Sequence, residues 1–144
     1  MNFLTFLSIS FLLVLLACQK PDHSKTIATT ETGSRIEVID FYSTHRCKTC
    51  LKIEDNTRKL LQSAFAKEME SGILSFQTVN VDEAENYEIA KRFEAAGTAL
   101  FVNVIKNGQE QHIDLTNFAF MKAFDEQAFN DTLKTRISEQ LERL

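Results

Sequence analysis

The chain has 144 residues, with 16 Lys and Arg against 20 Asp and Glu and a formal net charge of −4. That acidic balance gives no electrostatic reason to bind nucleic acid or anionic lipid, and neither is expected as a partner.

Residues 3–16 are an almost unbroken apolar run, interrupted only by Thr5, Ser8 and Ser10. The run falls short of the roughly 20 residues that span a bilayer and suits the apolar part of a secretion signal. It ends in Leu15-Leu16-Ala17-Cys18, which resembles the bacterial lipobox, where cleavage before the cysteine follows attachment of a diacylglycerol to its sulfur. Residues 1–17 are therefore expected to be a lipoprotein signal peptide and Cys18 the lipidated mature N-terminus. The positive end of this signal would rest on the α-amino group alone, since no Lys or Arg precedes the run. Two or more acyl chains, at about 0.8 kcal/mol per buried methylene, hold a protein stably on a bilayer. The expected location is outside the cytoplasm, on the inner or outer membrane of a bacterial cell, facing the periplasm or the cell surface. The alternative is a short uncleaved anchor with an incidental cysteine.

Residues 19–35 are rich in Thr, Ser, Lys, Asp and Glu, lack apolar periodicity and hold the only proline, Pro21. They read as a linker, and residues 18–35 together as a lipidated cysteine on a tether of roughly 20–25 Å. Residues 36–144 suit one domain with one core. Within it, 36–42 is a β-rich run. Ile53, Thr57, Leu60, Leu61, Ala64 and Phe65 then form a helical stripe after Cys50. Residues 73–81 read as a second strand with both faces partly buried, and 83–93 as a helix carrying Tyr87, Ala90 and Phe93 on one side. Residues 100–105 and 110–115 flank Asn107-Gly108, the strongest short-range hairpin signal. Phe118, Phe120 and Phe124 form an aromatic cluster expected to pack in the core, the alternative being a groove for a partner. Phe129, Leu133, Ile137 and Leu141 recur every four residues in a final helix. This order predicts an α/β sandwich with a mixed central sheet and flanking helices.

If Cys18 is lipidated, the remaining cysteines are one pair, Cys47-Lys48-Thr49-Cys50, in a compartment that permits disulfides. Cys47 stands at the start of a helix, where free backbone N–H groups and the positive end of the dipole favour a thiolate. His45, Arg46 and Lys48 add positive charge that would tune it further, unless they are simply solvated. Cys50, one turn on, is placed to attack a mixed disulfide formed at Cys47. The other readings are an inert structural disulfide and a metal site. Zinc would need four ligands, and the pair with His45 falls short; a two-thiolate copper(I) site stays open. A c-type haem is excluded because Leu51 follows Cys50. Neither metal nor cofactor is expected.

Strand, Cys-x-x-Cys, helix, strand, helix, hairpin and helix in this order resemble the thioredoxin fold over residues 36–144. Ile39-Asp40-Phe41-Tyr42, Val79-Asn80-Val81-Asp82 and Ile105-Lys106-Asn107-Gly108 match it locally. The resemblance implies that Asp40 is a buried carboxylate that accepts the proton of Cys50 during resolution. It also implies that Thr98 and Ala99 occupy the substrate loop facing the cysteines. Three features depart from the family. The spacing from Asp40 to Cys47 is one residue longer, the active-site Trp and Pro are missing, and residues 95–100 contain no proline where the family has a cis-proline. With its lipobox, its His45-Arg46-Cys47-Lys48-Thr49-Cys50 motif and its Thr98-Ala99-Leu100-Phe101, the chain is also similar to small thioredoxin-like proteins found beside arsenic-resistance genes and named as nitrophenyl-compound nitroreductase subunits. The Cys-x-x-Cys in this thioredoxin-like setting, with the lipobox, points to a membrane-anchored thiol-disulfide oxidoreductase acting on protein or small-molecule disulfides and thiols, whereas the resemblance to the nitroreductase subunits implies an accessory redox role without identifying the substrate. The alternative is a non-catalytic accessory redox subunit or metal-binding module on the same fold.

Overall fold

A computed structural model of the chain describes residues 33–144. The expected signal peptide, Cys18 and nearly all of the linker lie outside the described residues. The elements run β1 (Arg35–Tyr42), α1 (Lys48–Ala64), α2 (Ala66–Glu70), β2 (Leu74–Asn80), a single 3-10 turn (Ala84–Asn86), α3 (Tyr87–Arg92), β3 (Ala99–Lys106), β4 (Gln109–Asp114), α4 (Thr116–Lys122) and α5 (Glu126–Leu141). The four strands make one mixed sheet in the order β2-β1-β3-β4. β1 pairs parallel with β2 across the α1–α2 connection and antiparallel with β3, which forms the hairpin with β4. Asn107 and Gly108 at its tip both take positive φ, 52° and 76°, as a primed two-residue turn requires. This is the thioredoxin-like α/β architecture that the sequence predicts.

Alternation along β1 divides the core in two. Ile36 and Val38, with Leu100, Val102 and Val104 of β3, pack against Ile53, Leu60 and Leu61 of α1, Ala119 and Ala123, and Phe129, Leu133 and Ile137 of α5. Ile39 and Phe41 point to the other face, against Val79, Phe93 and Phe101. Those three phenylalanines meet in pairs at ring-centroid distances of 5.3–5.8 Å, near the range in which edge contacts add to simple burial. By the same alternation Asp40 falls on the α1 side of the sheet. A carboxylate is thus carried into the larger core at the end of the strand nearest the cysteines.

Several elements differ from expectation. Residues 83–93 split into the 3-10 turn and the short α3, and Tyr87 is exposed while Ala90 and Phe93 are buried. β2 is an edge strand with Leu74, Val79 and Asn80 buried and Ser75, Gln77 and Thr78 open to solvent. The aromatic cluster is not a core cluster. Phe118 packs on Phe129 at 5.2 Å, whereas Phe120 and Phe124 are 40% and 70% exposed. The inward residues of this segment are Ala119 and Ala123, both fully buried, because their small side chains let α4 approach α5 and the sheet closely. Asn56 of α1 ties the segment down by donating to the Ala123 carbonyl at 2.8 Å.

Candidate active site

The residues after β1 turn sharply before α1 begins, and the turn is pinned from β2. The Thr44 N–H donates to Asp82 Oδ2 at 2.7 Å, and Asn80 donates to the Thr44 hydroxyl at 3.3 Å. The Thr44 backbone hydrogen bond is also the main reason the Asp82 carboxyl lies below its ordinary range, with the charge of His45 adding to it. The extra residue between Asp40 and Cys47 is therefore accommodated in an anchored bend.

Cys47 is the N-cap of α1. Its φ of −80° and ψ of 164° place it outside the helix, and its Sγ accepts the Cys50 N–H at 3.1 Å. An N-cap side chain normally supplies oxygen to an orphan helical N–H; here sulfur takes that position, so the helix start is aimed at the sulfur. Cys47 and Cys50 form a disulfide with Cα atoms 5.1 Å apart. Their surroundings differ. Cys47 is exposed, whereas Cys50 is 6% exposed because it opens the inward stripe of α1 that continues through Ile53, Asn56, Thr57, Leu60 and Leu61.

Asp40 is fully buried, and burial pushes its carboxyl from 3.8 up to about 7, with nearby Glu54 adding to the rise and Arg46 opposing it. Oδ2 accepts from Arg46 Nη2 at 3.1 Å; Oδ1 has no partner among the described residues. Arg46 also donates to Glu54 and, at 3.5 Å, to the Cys50 carbonyl, and its guanidinium lies 4.4 Å from the centroid of the Tyr42 ring. Glu54 in turn accepts from Arg58 at 2.6 Å. Of the three basic residues expected to tune Cys47, His45 and Lys48 are exposed beside it, but the Arg46 side chain is engaged by carboxylates of the buried half of the site. Sequence reasoning missed Glu54, Arg58 and Asp82. The Glu54–Arg58 spacing was a readable signal, since residues four apart share a helix face.

The loop expected to face the cysteines lies near Ser43, at the start of the turn that leads to Cys47. A β-carbon built on Gly97 would stand 3.7 Å from the Ser43 hydroxyl, and Thr98 and Ala99 follow directly into β3. No peptide bond among the described residues is cis. Beside this loop lies a cavity of about 530 Å3 whose lining includes Phe93, Gly97, Thr98, Phe101 and His112. One wall carries His112, which stacks on Phe93 at 3.9 Å and contacts Glu110 at 2.9 Å. No three His, Cys, Asp or Glu side chains converge as a metal-binding group among the described residues.

The arrangement is suited to thiol-disulfide exchange: an accessible sulfur at a helix N-terminus, a second sulfur buried within bonding reach, and a proton-binding group with raised affinity in the adjoining core. No protein-family model matches the chain, and no curated relative is found for it. Among solved structures it is similar to a thioredoxin of Fasciola hepatica, with 22% identity over 74% of this chain and 81% of that one and a TM-score of 0.44. It is also similar to mitochondrial thioredoxin 3 of Saccharomyces cerevisiae in its oxidised form, with 26% identity over 66% and 81% and a TM-score of 0.41. A thioredoxin of Thermus thermophilus aligns at 21% identity over 55% and 58%, with a TM-score of 0.36. The thioredoxin-like fold accordingly rests on the chain's own strand order and helix positions.

Proposed function

We propose that the chain is a thiol-disulfide oxidoreductase, lipid-anchored through Cys18 outside the cytoplasm, that works through Cys47 and Cys50. The observation that carries the redox reading is the asymmetry of the pair: an exposed Cys47 capping α1, bonded to a buried Cys50. In the reducing direction the Cys47 thiolate attacks a substrate disulfide, forming a mixed disulfide and expelling one substrate thiolate. Cys50, giving its proton to Asp40, then attacks the Cys47 sulfur, restores the intramolecular disulfide and releases the second substrate thiolate. Two electrons pass from the pair to the substrate, and the reverse sequence oxidises a dithiol.

The reduction potential of the pair tests this reading, because a structural bond and an exchanging one differ in it. Equilibration of the protein with thiol buffers is expected to give a value above about −300 mV, on the exchanging side of the range for secreted structural disulfides. A lower value, with no reduction of protein disulfides, would leave an inert bond.

One observation favours an accessory role instead: the loop at Thr98 and Ala99 has no proline with which to orient a substrate strand. That pattern, with the lipobox and the His45-to-Cys50 motif, is what the chain shares with the nitrophenyl-compound nitroreductase subunits. For the anchor, Cys18→Ala is expected to move the folded protein from the membrane fraction to the soluble fraction, because the acyl chains on that sulfur supply the membrane affinity. Persistence of the variant in washed membranes would refute the lipid anchor.

A further inference from the structure

Four charges of alternating sign run from the core to the surface beside the cysteine pair. Asp40, fully buried on β1, meets Arg46; Arg46 meets Glu54; Glu54 meets Arg58, which lies over the Phe76 ring at 5.0 Å. Arg46 is the joint of this chain. Its Nη1 donates to Glu54, its Nη2 to Asp40 and, at 3.5 Å, to the Cys50 carbonyl, and the guanidinium lies 4.4 Å from the centroid of the Tyr42 ring. Its backbone, meanwhile, directly precedes Cys47.

We propose that Arg46 is a positioning residue that clamps the buried Asp40 carboxylate at the turn into α1, close to the Cys50 backbone, and that Glu54, itself paired with Arg58, draws on the same guanidinium and so weakens its hold on Asp40. The side chain next to the exposed cysteine thus acts on the resolving step. The role in turnover rests on the oxidoreductase reading; the clamp itself does not.

Three features support this assignment. Asp40 Oδ2 has Arg46 as its partner while Oδ1 stays buried without one among the described residues, so the carboxylate has one oxygen fixed and one open to take a proton. The charged groups that face Asp40 are Arg46 from the turn and Glu54 and Arg58 from α1; its neighbours in register, Thr78 on β2 and Leu100 on β3, bring no charge. Glu54 competes with Asp40 for the same guanidinium, so neutralising Glu54 and neutralising Arg46 should act on Asp40 in opposite directions. An ordinary solvated salt bridge would produce neither effect.

The test is the pH titration of the Asp40 carboxyl carbon by NMR, in the full chain with the disulfide intact. Arg46→Gln is expected to move the midpoint up by about one pH unit or more, as loss of an adjacent opposite charge does. Arg46→Lys should restore part of that shift, and Glu54→Gln should move the midpoint down. Midpoints unchanged in both Arg46→Gln and Glu54→Gln would overturn the clamp, and Glu54→Gln alone decides the matter if Arg46→Gln does not fold. Because no substrate is present, failure here leaves the oxidoreductase reading untouched. Conversely, shifts of the expected sign in a protein that exchanges no disulfides would keep the clamp and remove that reading. In turnover, the pH profile of mixed-disulfide resolution should move with the same sign as the titration; a profile that stays fixed would confine Arg46 to a structural part.

Discussion

The Asp40→Asn protein is expected to be more stable than the parent at pH 8, by as much as about 4 kcal/mol, with the difference vanishing near pH 4. Burial raises the Asp40 carboxyl from 3.8 to about 7 in the folded chain. Below 3.8 the group is protonated in both states and the pH has no leverage through it. Between 3.8 and about 7 the folded chain keeps a proton that the unfolded chain has released, so stability falls as pH rises through this window and levels off above it. At about 1.36 kcal/mol per unit, that interval sets the upper figure. Glu54 has its carboxyl held below the ordinary range by Arg58 and Arg46 against the opposing effect of burial, and Asp82 is held down by Thr44; both contribute in the opposite sense. The parent's own pH profile therefore mixes signs, and the difference between parent and variant isolates Asp40. Asparagine keeps the shape of the side chain, and Arg46 retains Glu54, so no buried cation is orphaned. Urea unfolding of the two oxidised proteins at pH 4, 6 and 8 measures the difference. A constant gap across the three would mean that Asp40 titrates as an ordinary aspartate in the folded state.

A group that destabilises the fold when ionised needs another reason to sit in the core. Asparagine at this position would satisfy the packing but could not bind and release a proton near neutral pH. On the proposed mechanism, the price in stability is what a proton acceptor for Cys50 entails, since a carboxyl with its ordinary proton affinity is a weaker base for a thiol. The same substitution that stabilises the chain is accordingly expected to slow resolution of mixed disulfides.

Elements whose local pattern and tertiary surroundings agree were legible in the sequence. Of the expected stripe, Ile53, Thr57, Leu60, Leu61 and Phe65 are buried while Ala64 is exposed, Asn107-Gly108 became the hairpin turn, and Phe129, Leu133 and Ile137 the buried line of α5, with Leu141 only half-buried. The region 116–124 was not legible as a helix. Its apolar residues are too crowded to show a period, and the bulky aromatics drew attention from Ala119 and Ala123, whose small size is what packing there selects. At the site, Cys47 and Cys50 could be named from their spacing at a helix start, and Asp40 only through the resemblance to the thioredoxin fold. Arg46 was read toward its neighbour in the chain, Cys47, when its side chain is engaged with Asp40, a strand away, and Glu54, two turns into α1. Charged pairs four apart on a helix, such as Glu54 and Arg58, look the same in sequence whether they face water or steady a buried group. The distinction lies in the long-range partner, which no local pattern displays.

Cys47→Ser is expected to abolish disulfide reduction, by on the order of 10^3-fold or more, and to trap no partners, while Cys50→Ser accumulates mixed disulfides. The nucleophile in disulfide exchange is a thiolate, and a serine hydroxyl stays protonated at any working pH. Access decides which sulfur attacks first: Cys47 is exposed at the mouth of α1, whereas Cys50 is 6% exposed beneath it. Electrostatics point the same way, since the Cys50 N–H already aims at the Cys47 sulfur at 3.1 Å and would donate to its thiolate in the reduced state. With Cys50 replaced, the bond formed at Cys47 has no internal sulfur to break it, so the adduct persists until an external thiol arrives. Non-reducing gels of cells expressing each variant should show partner adducts for Cys50→Ser alone. Brief alkylation of the reduced parent protein should label Cys47 well before Cys50. Equal labelling of the two sulfurs, together with no adducts in Cys50→Ser, would contradict the ordered exchange that the geometry supports and move the accessory-subunit reading ahead.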